Sequence, residues 1–256
     1  MRKMYIMLLV RGALLVSAAT AFAQDQPRAI IEKAVQAQGG QANVAKLRTM
    51  RIKLDGTINL VPGQPSVPLT IEDTWQMPSR YKSSSSFQLA GGMMTQTQAI
   101  DGDKGWIEAG GQVQDMPREA MEEMREQKYA EDLDHLSFLN EKGIELSMLD
   151  EINVAARPAV GVLAKSRGHR DVKLYFDKAD GLLVKREQVV LDPQSNKEVR
   201  QEVLFSDYQE THGLKHYRKI VALRDGKEVI AARVIEVEFF EKLDAKVFAK
   251  PRSAQQ

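Results

Sequence analysis

Apolar and polar residues alternate along most of the chain between Arg51 and Phe240, in segments separated by short turns. In the first segment, Ile52, Leu54 and Ile58 alternate with polar residues, a period of two that is typical of a strand with one buried face. Further groups follow the same pattern: Val67/Leu69/Ile71/Trp75/Met77, Tyr81/Phe87/Leu89, Ile144/Leu146/Met148, Val160/Val162, Val172/Leu174/Phe176, Leu182/Val184, Val203/Phe205, Val221/Leu223 and Val229/Ala231/Ile235/Val237/Phe239. We predict about eleven strands, with Asp73 as an exception on an otherwise apolar face.

Tight turns separate these segments. Asp101-Gly102, Asp180-Gly181 and Asp225-Gly226 are dipeptides that favour β-hairpins. Regular strands joined by short turns form an antiparallel meander rather than βαβ units. The predicted fold class is therefore mainly β (α+β): one large curved antiparallel sheet, or an unclosed β-barrel.

Two helical segments precede the strands. Apolar residues recur every three or four positions from Pro27 to Gln38, and Gly39 and Gly40 end that helix. A shorter helical piece is predicted from Gln41 to Leu47. We expect the first helix to pack on the sheet.

One further segment, Pro117 to Leu139, interrupts the strands. Residues Arg118 to Glu131 are rich in Glu, Lys and Arg and include no β-branched residue, which favours a helix. Its apolar face consists of Ala120, Met121, Met124, Tyr129, Leu133 and Leu136. A helix inserted in a meander is expected to lie across the sheet or to plug its open face, as a helical lid.

The N-terminus has the features of an export signal. Basic residues precede an apolar stretch, and Ala21-Phe22-Ala23 fits a signal-peptidase cleavage site. Arg11 leaves no apolar run of the roughly 20 residues that span a bilayer. We predict a cleavable signal peptide at 1–23, one domain at 24–251 and a disordered tail at 252–256. The expected location is the periplasm.

Composition narrows the classes of partner and of chemistry. Loss of Arg2, Lys3 and Arg11 with the signal changes the formal net charge from +1 to −2, which argues against nucleic acid as a partner. The chain has no cysteine, so it has neither disulfides nor thiol chemistry. No nucleophile–base–orienter pattern is visible, so we predict no enzymatic activity and no cofactor.

Two groups of polar residues were candidates for a site. His212 and His216 have a spacing that would put both on one face of a helix, but here the first is predicted in a turn and the second in a strand, so we predict no metal site. The run from Ser83 to Ser86 has two interpretations. Either it is an exposed edge strand, or it leaves part of a sheet face small and roomy.

Three stretches carry a resemblance to a known group of proteins. They are IIEKAVQAQGGQANVAKLRTMRIKLDG (Ile30–Gly56), LYFDKADGLLVKREQV (Leu174–Val189) and LDAKVFAKP (Leu243–Pro251). With the predicted layout, they resemble the superfamily of periplasmic lipoprotein carriers and outer-membrane lipoprotein receptors. That resemblance implies an N-terminal helix, an unclosed β-barrel and helices that cover an apolar cavity.

The resulting hypothesis is a monomeric envelope protein that binds an apolar ligand, such as a lipid or lipoprotein acyl chain, in contact with the cell envelope. The flexible thioethers of the methionine side chains suit an adaptable apolar surface, although ordinary filling of the core explains these methionines equally well. The predicted ligand-binding residues are Trp75, Phe87, Met94, Met121, Met124 and Leu133. The alternative is a structural or protein-interaction module whose interior is filled by its own side chains.

Overall fold

Thirteen strands form one antiparallel sheet in the computed structural model, which describes the backbone of residues 16–251 apart from 62, 90, 140, 193 and 194, with side chains from residue 26. The predicted tail at 252–256 and most of the predicted signal peptide lie outside the described residues, and cleavage after Ala23 stays a prediction. The fold class is confirmed, with two strands more than predicted.

The helices are α1 (Val16–Ala37), α2 (Gln41–Val44) and α3 (Arg118–Asp134), with short 3₁₀ turns at Ala45–Arg48 and Ala245–Val247. The strands are β1 (Thr49–Ile58), β2 (Val67–Gln76), β3 (Arg80–Leu89), β4 (Gly92–Asp101), β5 (Lys104–Ala109), β6 (Gln112–Asp115), β7 (Ile144–Val154), β8 (Arg157–Ser166), β9 (Val172–Asp177), β10 (Leu183–Asp192), β11 (Lys197–Thr211), β12 (Leu214–Arg224) and β13 (Lys227–Phe239).

The strand order explains where the inserted helix lies. The sheet runs β6-β5-β4-β3-β2-β1-β13-β12-β11-β10-β9-β8-β7. Each strand therefore pairs with its neighbours in sequence, except β6 and β7, and β1 pairs with β13 in the middle, where one half of the sheet (β1–β6) meets the other half (β7–β13). Because β6 and β7 stand at opposite edges, the segment between them, which contains α3, must connect one edge of the sheet with the other.

The helix α1 begins earlier than predicted, at Val16 instead of Pro27. The alanine-rich residues before Pro27 favour a helix, and the missing backbone N–H of proline does not stop it here. Ile31, Ala34 and Val35 of α1 are buried in the main hydrophobic core. That packing supports the expectation that this helix covers the sheet.

The two faces of the sheet are covered by different segments. We call the face that carries Ile52 and Leu54 the inner face, because these side chains join one core with residues of α1 and α3. The opposite, outer face is partly covered by the residues after β13. There Trp106 of β5 donates from Nε1 to the carbonyl of Phe248 at 2.8 Å, and Phe248 is buried.

Candidate functional site

A cavity of about 220 Å³ lies between the inner face and α3. Both halves of the sheet contribute to it, together with the last two turns of α3 and the residue that follows the helix. Its apolar wall includes Ile52, Leu54, Ile71, Trp75, Val203 and Phe205. The rest of the lining is polar and charged and comes from α3 and from strands in both halves of the sheet.

The helix α3 turns a polar stripe toward this cavity. Gln127, Glu131, Asp134 and His135 line it, at intervals of four, three and one residues that place them on one side of the helix. The methionines lie elsewhere. The side chain of Met121 packs over Gly105 of β5. The two are so close that a Cβ atom added to Gly105 would lie 2.5 Å from Met121 Cε.

A row of residues across three strands brings Asp73 to the cavity wall. In the antiparallel register, Asp73 of β2 pairs with Ser83 of β3, and Ser83 pairs with Gln98 of β4. All three line the cavity. Tyr81 donates its hydroxyl to Asp73 Oδ1 at 3.2 Å. Burial, together with the negative charge of Glu131, raises the pKa of Asp73 to about 7.

Three rings stand beside this carboxyl group. The rings of Trp75 and Tyr81 have centroids 5.3 Å apart, and His135 meets Trp75 edge-on at 5.5 Å. Burial lowers the pKa of His135 to about 3, so its ring is neutral at pH 7. Trp75 Nε1 and His135 Nε2 are buried and have no hydrogen-bond partner within the described part of the chain.

A buried ion pair joins α3 to the other half of the sheet. Arg186 of β10 donates from Nη1 to Asp134 Oδ2, and both side chains are 4% exposed. Among the described residues, Arg186 Nε, Asp134 Oδ1 and Glu131 Oε2 find no partner. Burying polar atoms without hydrogen bonds is costly. Because all three residues line the cavity, these atoms point to a polar group on its occupant.

Ion pairs on the surface hold α3 in place. Glu123 accepts from Arg170 at 2.7 Å and from the backbone N–H of Leu191 at 2.9 Å. Glu126 bonds His169 in the same turn, and Arg125 donates to the carbonyl of Gly102 on the other half of the sheet. The helix is thus tethered to both halves by contacts that water reaches.

The residues predicted to bind a ligand do not all come together. Trp75 lines the cavity and is 2% exposed. Met121, Met124 and Leu133 belong to the main core. Phe87 and Met94 face each other in the ladder between β3 and β4. Met94 lines an open groove of about 560 Å³ at the rim of the sheet. The role of all six in binding stays a prediction.

The structure also places the serine run and the two histidines that the sequence analysis considered. The interpretation of Ser83 to Ser86 as an edge strand is wrong, since β3 pairs with β2 and β4. Ser83 and Ser85 instead line the cavity, as the roomy-face interpretation predicted. His212 stands in a turn, whereas His216 lies in β12 and bonds Thr211 Oγ1 at 3.3 Å.

Sequence comparison finds no match, whereas structural comparison finds proteins that share the fold. The sequence matches no protein-family model, and no curated protein is significantly similar to it.

In the described part of the chain, no helix combines the length and apolar character needed to cross a membrane.

Solved structures share the fold at low identity. A LolA superfamily protein from Nitrosomonas europaea is 12% identical, with a TM-score of 0.56 over 88% of this chain and 97% of that one. A putative outer membrane lipoprotein-sorting protein domain from Vibrio parahaemolyticus is 9% identical, with 0.55 over 88% and 97%. A DUF1329 family protein from Desulfovibrio piger is 12% identical, with 0.55 over 87% and 97%. The chain therefore has the fold of the LolA superfamily and of the lipoprotein-sorting domain, as the resemblance in its sequence implied.

Proposed function

We propose that this protein is an exported, non-enzymatic binding protein of the cell envelope, which holds the acyl chain of a lipid or lipoprotein between the inner face and α3. The observation that carries the proposal is the cavity under α3, with its apolar wall built from both halves of the sheet. The shared fold with a lipoprotein-sorting domain supports the same class of ligand. Cleavage after Ala23 would release the protein to the periplasm as a monomer.

The energetics favour an acyl chain as cargo. Burying a chain of about fifteen methylenes is favourable by on the order of 10 kcal/mol gross, at about 0.8 kcal/mol each. The cavity of about 220 Å³ is smaller than the roughly 300–1,000 Å³ of typical ligand pockets. A full chain would therefore need α3 to move outward. The ion pairs between α3 and the turns are partly exposed, and such pairs are each worth only about 0–1 kcal/mol. Outward motion of α3 would also have to break its buried pair with Arg186.

The alternative is a module whose interior is filled by its own side chains. Such an interior should be close-packed, and its buried polar atoms should be paired. Instead, unpartnered atoms of Trp75, Glu131, His135 and Arg186 surround open space. The binding function accounts for both features.

Filling the cavity tests the proposal. Ser85→Phe adds a ring on the inner face of β3, whereas Ser86→Phe adds the same ring on the other face, where Ser86 bonds Thr95. We expect Ser85→Phe to weaken binding of a fluorescent fatty-alcohol probe at least about tenfold, or about 1.4 kcal/mol. Ser86→Phe should bind as the wild type does. Equal affinities for all three proteins, with intact thermal melts, would refute a ligand site in this cavity.

A further inference from the structure

We propose that the cavity selects an amphiphile whose head group carries an ammonium ion, and that Asp73 and Glu131 bind that ion. The inference rests on the proposed function, because it adds a head group to the acyl chain already assigned. It identifies the chemical class of the head group that binds in the same cavity.

The first reason is that these two carboxyl groups have no cationic partner in the described part of the chain. Asp73 is bonded by a neutral hydroxyl, that of Tyr81. Glu131 Oε1 accepts from the amide of Gln127 at 3.0 Å, and its Oε2 has no partner. They belong to different elements, β2 and α3, yet both line one cavity. A carboxylate in such a site is costly unless a cation joins it.

The second reason is that the neighbouring cations are already committed. Arg186 pairs with Asp134, and Arg224, which also lines the cavity, pairs with Asp192 at 3.2 Å. The protein thus supplies no spare positive charge to the carboxyl groups of Asp73 and Glu131 from these side chains. A cation carried by a ligand would complete the pairing.

The third reason is the aromatic wall beside Asp73. The faces of Trp and Tyr rings attract ammonium groups, and aromatic side chains with carboxylates recur in sites for such ligands. Trp75 and Tyr81 provide two adjacent rings, and Trp75 is in contact with the neutral ring of His135. The unpartnered N–H groups of Trp75 and Arg186 suit an ester or phosphate oxygen next to the ammonium group.

The test compares head groups on one chain. Binding of dodecylamine, dodecanol and dodecanoate is measured by calorimetry at pH 8, where the amine is charged, with butylamine as a head group that lacks the chain. We expect dodecylamine to bind at least about tenfold more tightly than the other three. Asp73→Asn and Glu131→Gln should each remove most of that advantage and leave dodecanol affinity unchanged.

Glu72→Gln is the matched control, because it removes the same charge from β2 on the outer side of the sheet, where Glu72 approaches Arg51. It should bind dodecylamine as the wild type does.

Equal affinity for dodecylamine and dodecanol would overturn the ammonium site but leave the acyl-chain function standing. Failure of every dodecyl probe to bind would overturn both. Butylamine binding as tight as dodecylamine would show a site for free amines and would overturn the amphiphile. A variant that does not fold is replaced by the other carboxyl variant.

Discussion

At the scale of single residues, the most unusual group in the candidate site is the carboxyl group of Asp73. The positions before and after it on the inner face of β2, Ile71 and Trp75, are apolar. A carboxyl group between them is partly desolvated, which is why its pKa is raised and why Tyr81 donates to it. A residue that breaks the apolar pattern at a cost to the fold is expected at a functional site.

The raised pKa of Asp73 predicts how stability depends on pH. The folded protein holds this proton more tightly than the unfolded chain, whose aspartates titrate near 3.8. The contribution of this group to stability is therefore complete below about pH 4 and is lost as the pH rises to about 7. Between these limits, we expect the free energy of unfolding of the wild type to fall by on the order of 2–4 kcal/mol relative to Asp73→Asn.

Urea denaturation at a series of pH values measures this difference. Burial also raises the pKa of Asp132 and of Asp134, but both remain in the variant, so the comparison isolates Asp73. Glu72→Gln, on the other face of the same strand, should stay much closer to the wild type, because the charge of Glu72 contributes least among the causes that raise the pKa of Asp73. Parallel curves for wild type and Asp73→Asn would contradict the assignment.

The sequence revealed part of this site. Asp73 stood out as the exception in an apolar alternation, and Trp75, which was predicted to bind a ligand, lines the cavity. Glu131 and His135 were not found, because a polar stripe on a helix normally faces water. Here the stripe faces a cavity, since α3 lies between the two edges of the sheet. Only the strand order reveals that, and it pairs residues far apart in the chain.

At the scale of elements, α3 is the part that has to move if the cavity is to take a full acyl chain. Its apolar side packs on the core through Met121 and Met124, its polar stripe faces the cavity, and its ties to the turns are ion pairs. The two strands at the sheet edges, β6 and β7, are its only covalent attachments. An element with this construction opens at lower free energy than the sheet.

Loosening one tether should open α3 without unfolding the sheet. Glu123→Gln removes the charge that pairs with Arg170 and weakens the bond to Leu191. We expect faster hydrogen exchange in residues 118–134 and a faster release of bound probe, with exchange in β1 and β13 unchanged. Glu119→Gln, at an exposed position on the same helix, is the control. Uniformly faster exchange in the helix and the sheet would mean that α3 does not open by itself.

Predictability also differed between elements. The strands with strong alternation, such as β1 and β9, were found in the sequence, as was α3 within three residues at its end. No alternation was recognised for β4, β5 and β6. On the inner side of β4, Gln98 faces the cavity, so an apolar period is interrupted there. The pattern thus fails where the sheet lines a polar space.

At the scale of the whole molecule, the strand order makes one cavity from two halves. The halves meet at β1 and β13, and α3 lies across the inner face, so a ligand in the cavity would contact residues from both halves of the chain. The meander, the N-terminal helix and the inserted helix were predictable, because each depends on local periodicity and turns. The position of the cavity depends on the pairing of β1 with β13, which no local pattern encodes.

The two tryptophans of the chain provide the most direct test of the central claim, that an alkyl chain binds against the inner face. Trp75 lines the cavity, whereas Trp106 lies on the outer face against Phe248. Bromine quenches tryptophan fluorescence only at short range.

Two variants each keep one tryptophan: Trp106→Phe keeps Trp75, and Trp75→Phe keeps Trp106. Each variant is titrated to saturation with terminally brominated dodecanol, and with dodecanol itself for comparison. We expect strong quenching of Trp75 and almost none of Trp106. Equal quenching of both residues, or of neither, would contradict a chain bound in this cavity.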